Sequence, residues 1–255
     1  MLSETRRTKI LEVLKSQGSA EVKNLSEILD VSEATIRRDL NMLERKGLLQ
    51  RTHGGAISLI QKGTSFEPPY FIHKDRFIKE KQNIGMKALD FISDGDTLIM
   101  DASTTTLQIA RFLQGKNNLT IITNGVDILN ELSDKEGIVV MSTGGNLNKR
   151  SISLVGPVAE QFLKEVHADK LFLGISAISL KEGVTAPNIQ EAHIKKAMIM
   201  AAREIIAVTD SSKFGKVNLF SVAPVSVLHR IITDRKIPEK DRKTLEKKGI
   251  KITIV

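Results

Sequence analysis

The chain has 255 residues, room for one large domain or two smaller ones, and 41% of them are apolar, enough for a packed core. Its formal net charge of +8 suits a polyanionic partner, while the absence of cysteine excludes disulfides and thiolate chemistry. No apolar run approaches the ~18 residues of a membrane span, and charges break the N-terminal stretch MLSETRRTKILEVLK, so the expected location is cytoplasmic.

A first helix is expected from about Glu4 to Gln17, with Ile10, Leu11 and Leu14 inward and Gly18 as its stop. A short second helix covers about Val22 to Leu29, and Asp30 and Val31 make a tight turn. The next stretch, VSEATIRRDLNMLERK, is the most informative in the chain. Ser32 is a good N-cap, and Ile36, Leu40 and Leu43 at i, i+4 and i+7 form one apolar stripe. Thr35, Arg37, Arg38 and Asn41 lie off that stripe, on a face rich in groups that bond phosphates and base edges. Gly47 ends the helix. In LLQRTHGGAISL two short strand-like runs flank His53-Gly54-Gly55, a pair of glycines suited to a hairpin turn.

Three helices and a hairpin read as a winged helix-turn-helix over residues 1–60. Arg51 and His53 stand where a wing touches the DNA backbone or minor groove. Glu33, Asp39 and Glu44 share the recognition segment, so the head is only mildly basic. Asp39 is expected to hold Arg38 or an N-terminal group. Few phosphate contacts from one head imply two heads on a double-stranded operator, hence a homodimer or homotetramer.

Residues 61–75 contain Gly63, Pro68 and Pro69 and read as a linker. Beyond it, over 76–255, seven apolar runs alternate with helical stretches. They are Thr97–Met100, Leu119–Thr123, Ile138–Ser142, Lys170–Ile175, Ile205–Thr209, Ile231–Thr233 and Ile250–Val255. That alternation predicts an α/β domain, Rossmann-like, with a mostly parallel sheet covered on both faces. Ligands of such sheets bind beyond the carboxyl ends of the strands. After the first run come Asp101, Ala102, Ser103, Thr104, Thr105 and Thr106, hydroxyls at a helix start suited to an anion. The GxxxxGK[ST] pattern of a P-loop is missing. The second run ends at Asn124. The third ends at Gly144-Gly145, where paired glycines let a ligand approach, with Arg150 shortly after. Glu191 and Lys195, spaced i, i+4, suit either an ordinary helix pair or a ligand role. Lys213 follows another strand and is placed to reach a phosphate or a sugar hydroxyl.

ATIRRDL followed by LERKGLLQRTHGGA resembles the signature head of the DeoR family of bacterial transcriptional regulators. The resemblance implies that Ser32, Thr35, Arg37 and Arg38 lie at the DNA surface. DASTTT, TNGVDILNEL, GGNLNKRSISLVGPVAE, FLGISAI, GVTAPNIQEAHIKKAMI and TDSSKFG resemble that family's effector domain. It is similar in fold to ribose-5-phosphate isomerase and glucosamine-6-phosphate deaminase, and binds a phosphorylated sugar metabolite. By position the resemblance gives the phosphate to Ser103–Thr106, and the rest of the site to Asp101, Asn124, Gly144, Gly145, Glu191, Lys195 and Lys213. The chain departs from the family's usual glycines at Ala102-Ser103 and at the turn after LFLG.

The expected function is thus an effector-responsive repressor of a sugar-metabolism operon, with no cofactor and no catalysis. The alternative is a sugar-phosphate isomerase or deaminase carrying a DNA-binding head. That chemistry needs a carboxylate beside the sugar, and the loop Gly174–Ile178 holds none. The five histidines show no metal-ligand spacing.

Overall fold

A computed structural model describes residues 3–17, 19–52, 54–58, 64 and 77–255. The chain divides into two compact units, residues 1–68 and 69–255. The expected linker, apart from Thr64, lies outside the described residues, as do Gly18 and His53.

The first unit follows the apolar periodicity of its helices. α1 is Ser3–Gln17, α2 is Val22–Leu29 and α3 is Glu33–Arg45. Ile10, Leu14, Leu25, Ile36, Leu40 and Leu43 interlock in one buried core. The α2–α3 turn closes because Asp30 takes the left-handed conformation, which short polar side chains tolerate. The Ser26 hydroxyl donates to the Val31 carbonyl across that turn at 2.5 Å. Ser32 caps α3, its Oγ accepting from the Thr35 amide at 3.3 Å. At the other end Gly47 has φ +67°, and the Leu48 amide donates to the Leu43 carbonyl, a Schellman closure.

Strands β1 (Ser19–Glu21), β2 (Leu49–Arg51) and β3 (Gly55–Ser58) form an antiparallel sheet of order β1-β3-β2. The glycine pair lies in the β2–β3 connection between Arg51 and Ala56, where the Thr52 amide donates to the Gly55 carbonyl at 2.9 Å, and Gly55 is also the first residue of β3, opposite Glu21. A Cβ on it would come within 2.8 Å of the Glu21 Cα, so glycine here admits the third strand.

The second unit is layered around a seven-stranded sheet. In chain order its elements are α4 (Ile78–Ala88), β4 (Thr97–Met100), α5 (Thr106–Phe112), β5 (Leu119–Thr123), α6 (Val126–Leu132), β6 (Ile138–Ser142), β7 (Asn146–Asn148), β8 (Ser153–Val155), α7 (Pro157–Lys164), β9 (Ala168–Gly174), β10 (Ala177–Ser179), β11 (Gly183–Ala186), α8 (Ile189–Met200), β12 (Ala202–Val208), β13 (Phe220–Ala223), β14 (Arg230–Thr233), α9 (Glu239–Lys247) and β15 (Lys251–Ile254). The sheet order is β15-β14-β12-β9-β4-β5-β6, and every neighbouring pair is parallel. All seven strands expected from the apolar runs are in it. β7 and β8 pair as a hairpin, and β10, β11 and β13 form a small antiparallel sheet.

Successive residues of the central strands point to opposite faces. Ile99, Leu171, Leu173, Ile205 and Ile231 pack with Ala159, Leu163, Ala192, Met198 and Leu245 of α7, α8 and α9. Leu98, Met100, Phe172, Ile206 and Ile232 pack with Ile84, Ala88, Leu107, Ile109, Ile128 and Leu132 of α4, α5 and α6. The strands read as unbroken apolar runs because both faces are covered.

The path of the chain locates a crevice. From β4 it steps outward to β5 and β6, then returns to β9 on the other side of β4 and steps outward to β12, β14 and β15. The direction reverses between β4 and β9. At such a switch point the connections after the two strands leave in opposite directions and part the crest of the sheet.

Candidate functional site

Asp101 follows β4 at this switch point and is 3% exposed. Its Oδ1 accepts from the Gly174 amide at the end of β9 at 2.9 Å. The Thr106 hydroxyl donates to the Asp101 carbonyl at 2.6 Å and lies 3.2 Å from Oδ1. Lys195 reaches in from α8, its side chain 6% exposed, and donates to Asp101 Oδ2 and, at 2.7 Å, to the Gly174 carbonyl. Glu191 lies one turn earlier, 3.6 Å from the ammonium, and accepts from the Ser176 hydroxyl at 2.7 Å. The Asn188 side chain caps α8 by accepting from the Glu191 amide. One charge-assisted network therefore ties β4, β9 and α8 together.

Burial acts to lower the Lys195 pKa, but the Asp101 and Glu191 carboxylates outweigh it, and the pKa is raised above its usual 10.5. The ammonium has three donors and three acceptors around it.

The DASTTT hydroxyls divide into two pairs. Ser103 Oγ and Thr106 Oγ1 are 2.8 Å apart, and Ser103 Oγ accepts from the Thr106 amide at 3.1 Å. Thr106 is fully buried. This pair is engaged in holding the loop. The Thr104 and Thr105 hydroxyls have no hydrogen-bond partner among the described residues, and both residues are buried just before α5, 8% and 6% exposed. Asn124, at the end of β5, fixes the loop from the other side: its Oδ1 accepts from the Ala102 amide at 3.0 Å, and its Nδ2 donates to the Leu154 carbonyl at 3.0 Å.

The structure thus brings together Asp101, Ser103, Thr104, Thr105, Thr106, Asn124, Glu191 and Lys195. Gly144 and Gly145 follow β6 and contact a different neighbour. A Cβ on Gly145 would lie 2.6 Å from the Val155 carbonyl oxygen, so packing on β8 already requires that glycine. Arg150 is exposed in the β7–β8 turn, its amide donating to Asn148 Oδ1. Lys213 ends a short 3-10 turn, Ser211–Lys213, after β12. The bonds of Asp101 and Lys195 run to Gly174, Thr106, Glu191 and each other, and to none of these four residues. The reading of the residues passed over Gly174 and Asn188, whose roles rest on backbone approach and capping.

In the first unit, Ser32, Arg37, Arg38 and Asn41 are exposed along one side of α3, with Thr35 half-buried beside Ser32. Arg37 pairs with Glu33 at 3.2 Å, an exposed i, i+4 contact of little energetic weight. Asp39 is on the opposite side, 2% exposed, and accepts from Arg6 at 2.5 Å and Arg7 at 2.9 Å. The acid in the recognition segment therefore faces inward and clamps α1, through the N-terminal group and not Arg38. Arg51 of β2 donates to Asn41 Oδ1 at 2.5 Å, linking the wing to α3. His53 lies outside the described residues.

The exposed placement of Arg37 sets a test of this face. Arg37→Ala is expected to weaken operator binding by about 1–3 kcal/mol with the thermal midpoint unchanged. Anisotropy titrations and a melt of the same preparation decide it. Unfolding of the variant would make the residue structural.

Among the described residues no helix is long and apolar enough to cross a membrane, and no group of three or more His, Asp or Glu could hold a metal ion.

Comparison with known proteins bears on both units. Residues 6–62 match the family model of the DeoR-like helix-turn-helix domain, and residues 76–235 match that of the DeoR C terminal sensor domain. The uncharacterized HTH-type transcriptional regulator YulB of Bacillus subtilis is 38% identical over 256 residues, 100% of this chain and 98% of its own. Transcriptional repressor AccR of Agrobacterium fabrum is 36% identical over 249 residues, 94% of this chain and 96% of its own. Among solved structures, ribose 5 phosphate isomerase A from Neisseria gonorrhoeae aligns at TM-score 0.39 and 14% identity, over 52% of each chain. An alignment that loose adds nothing to the strand order above.

Proposed function

The chain belongs to the DeoR family of transcriptional regulators, and from that premise we propose that it is a repressor released from its operator by a phosphorylated sugar bound at the β4–β9 switch point. The observation that carries the reading is the division of the DASTTT hydroxyls. Ser103 and Thr106 lock the loop, and the buried Thr104 and Thr105 hydroxyls are left without a partner among the described residues. Hydroxyls and loop amides at the start of a helix favour a dianion, since the helix dipole places partial positive charge there. Glu191 and Ser176 beside the crevice supply an acceptor and a hydroxyl of the kind that bind sugar hydroxyls, and Asn124 holds the loop in place.

Binding at the sensor changes the head only if the ligand prefers one global state. Two heads on one operator give that preference a readout, because half-site spacing fixes their separation. Ser32, Thr35, Arg37, Arg38 and Asn41 form the DNA face in this reading, with Arg51 and His53 contributed by the wing.

The enzyme alternative is not favoured. YulB and AccR carry the names of regulators, and the loop after β9, Gly174–Ile178, brings no general base to the crevice.

Thr105→Asp tests the phosphate loop, because it sets a negative charge against the phosphate. The concentration of sugar phosphate needed to release the operator is expected to rise at least tenfold, about 1.4 kcal/mol or more. DNA affinity without ligand stays as in the unsubstituted protein. An unchanged release curve would remove this loop from the site.

A further inference from the structure

We infer that the open edge of the sheet at β6 is the surface on which a second copy of this chain docks, by antiparallel pairing of β6 with its own copy about a two-fold axis. The inference stands apart from the effector reading. Among the described residues β6 pairs with β5 alone, and its other side ends the sheet.

An uncovered edge strand is a template for association, and proteins usually blunt it with charge or proline. Here neither is present. From Gly137 to Asn148 there are twelve consecutive residues without a charged side chain or proline, in a chain that is 27% charged. The opposite edge, β15, is guarded by the exposed Lys251. The apolar side chains at the β6 edge also face outward. Val139 is 60% exposed and Met141 37%, and they share one face of the strand. Leu147 on the following hairpin is 52% exposed, and Val158 on α7 is 65% exposed. Val158 belongs to the same patch, since its Cγ1 lies 3.6 Å from where a Cβ on Gly144 would stand.

The occupant follows from self-complementarity. A two-fold interface brings the same patch together with itself. With Val140 on the axis, Val139 faces Met141 of the other copy, Met141 faces Val139, and all four cover one another on one face. Exposed Asp134 and Glu136 precede the strand, and Lys135 between them turns back onto the Ala110 and Arg111 carbonyls. In this register Asp134 lies across from Asn146 of the other copy, just ahead of its exposed Lys149, so opposite charges flank both ends of an uncharged centre. Pairing β6 with β15 instead would be head-to-tail and would leave open edges to propagate. The two-fold arrangement closes.

The mass of the full chain in solution, by sedimentation velocity without DNA, tests this. The unsubstituted protein is expected at twice the chain mass or a higher even multiple. Val139→Lys, which adds the missing edge charge, is expected to halve that mass while the far-ultraviolet circular dichroism spectrum stays the same. Met141→Glu, at the facing position, is expected to do likewise. The double substitution Val139→Lys/Met141→Glu puts opposite charges across the axis and is expected to restore the mass at least in part. A monomeric unsubstituted protein overturns the proposal, and protection of the β6 amides from hydrogen exchange in that monomer would assign the edge to another segment. Unchanged mass in both single variants overturns it as well.

Discussion

Lys195→Met is expected to destabilise the sensor unit by about 3–5 kcal/mol, because it leaves the Asp101 carboxylate buried without its counter-charge. Asp101 is 3% exposed, so water cannot replace the lost ammonium. Its remaining partners, the Gly174 amide and the Thr106 hydroxyl, are neutral donors. Urea unfolding decides the matter. Asp101→Asn/Lys195→Met should recover most of the loss, since the asparagine oxygen keeps the Gly174 and Thr106 bonds and no net charge stays buried. A single substitution costing under about 1 kcal/mol would contradict the network, for it would mean that Asp101 tolerates burial alone.

The same pair fixes a pH dependence. The folded pKa of Lys195 is raised, so its contribution to stability is fully present below the unfolded value of 10.5 and is lost as pH rises through the higher folded value. From this group stability is level between about pH 6 and 9 and declines only in strong alkali.

Gly174→Ala carries the second large effect. A Cβ there would overlap the Ser103 side chain and stand 3.0 Å from Asp101 Oδ1. Neither can yield cheaply, since Ser103 holds the Thr106 amide and Asp101 holds Lys195. The expected cost is about 1–3 kcal/mol, with loss of sugar-phosphate response. Ser103→Gly removes the obstructing side chain, so Ser103→Gly/Gly174→Ala should regain stability relative to Gly174→Ala alone. Additive losses in the double variant would place the strain elsewhere.

These two sites show where a linear reading works and where it stops. The seven sheet strands were legible because a strand covered on both faces must be apolar at nearly every position. Helices α2 and α3 were legible for a related reason: their stripes and the Ser32 cap are local. β1 was not, because three residues of which only Ala20 is buried leave no period to detect. Its signature was Gly55, which reads equally well as a turn. β10, β11 and β13 are also three or four residues long, and β11 meets its second partner, β13, only after α8 and β12 have intervened.

At the switch point the linear reading singled out the loop residues and missed how the fold divides their work. The hydroxyls of Ser103, Thr104, Thr105 and Thr106 look uniform on paper, yet in the fold Ser103 and Thr106 bond each other and the loop backbone, and Thr104 and Thr105 do not. Lys195 and Asp101 are 94 residues apart, and the i, i+4 spacing pointed to Glu191 as the lysine's partner. Asp101 is the closer one. Asp39 was expected to hold Arg38 or a group near the N-terminus, and distance along the chain hid which: its partners are Arg6 and Arg7 of α1.

The central claim is that one chain couples operator binding to a sugar phosphate. The most direct measurement is fluorescence anisotropy of the full chain on labelled DNA from upstream of its own operon, at fixed salt, titrated with a panel of sugar phosphates and the matching free sugars. The account predicts that one phosphorylated compound releases the DNA and its unphosphorylated sugar does not. Tight, sequence-specific binding that no phosphorylated sugar alters would contradict it, leaving a DNA-binding protein whose switch-point loop serves another ligand.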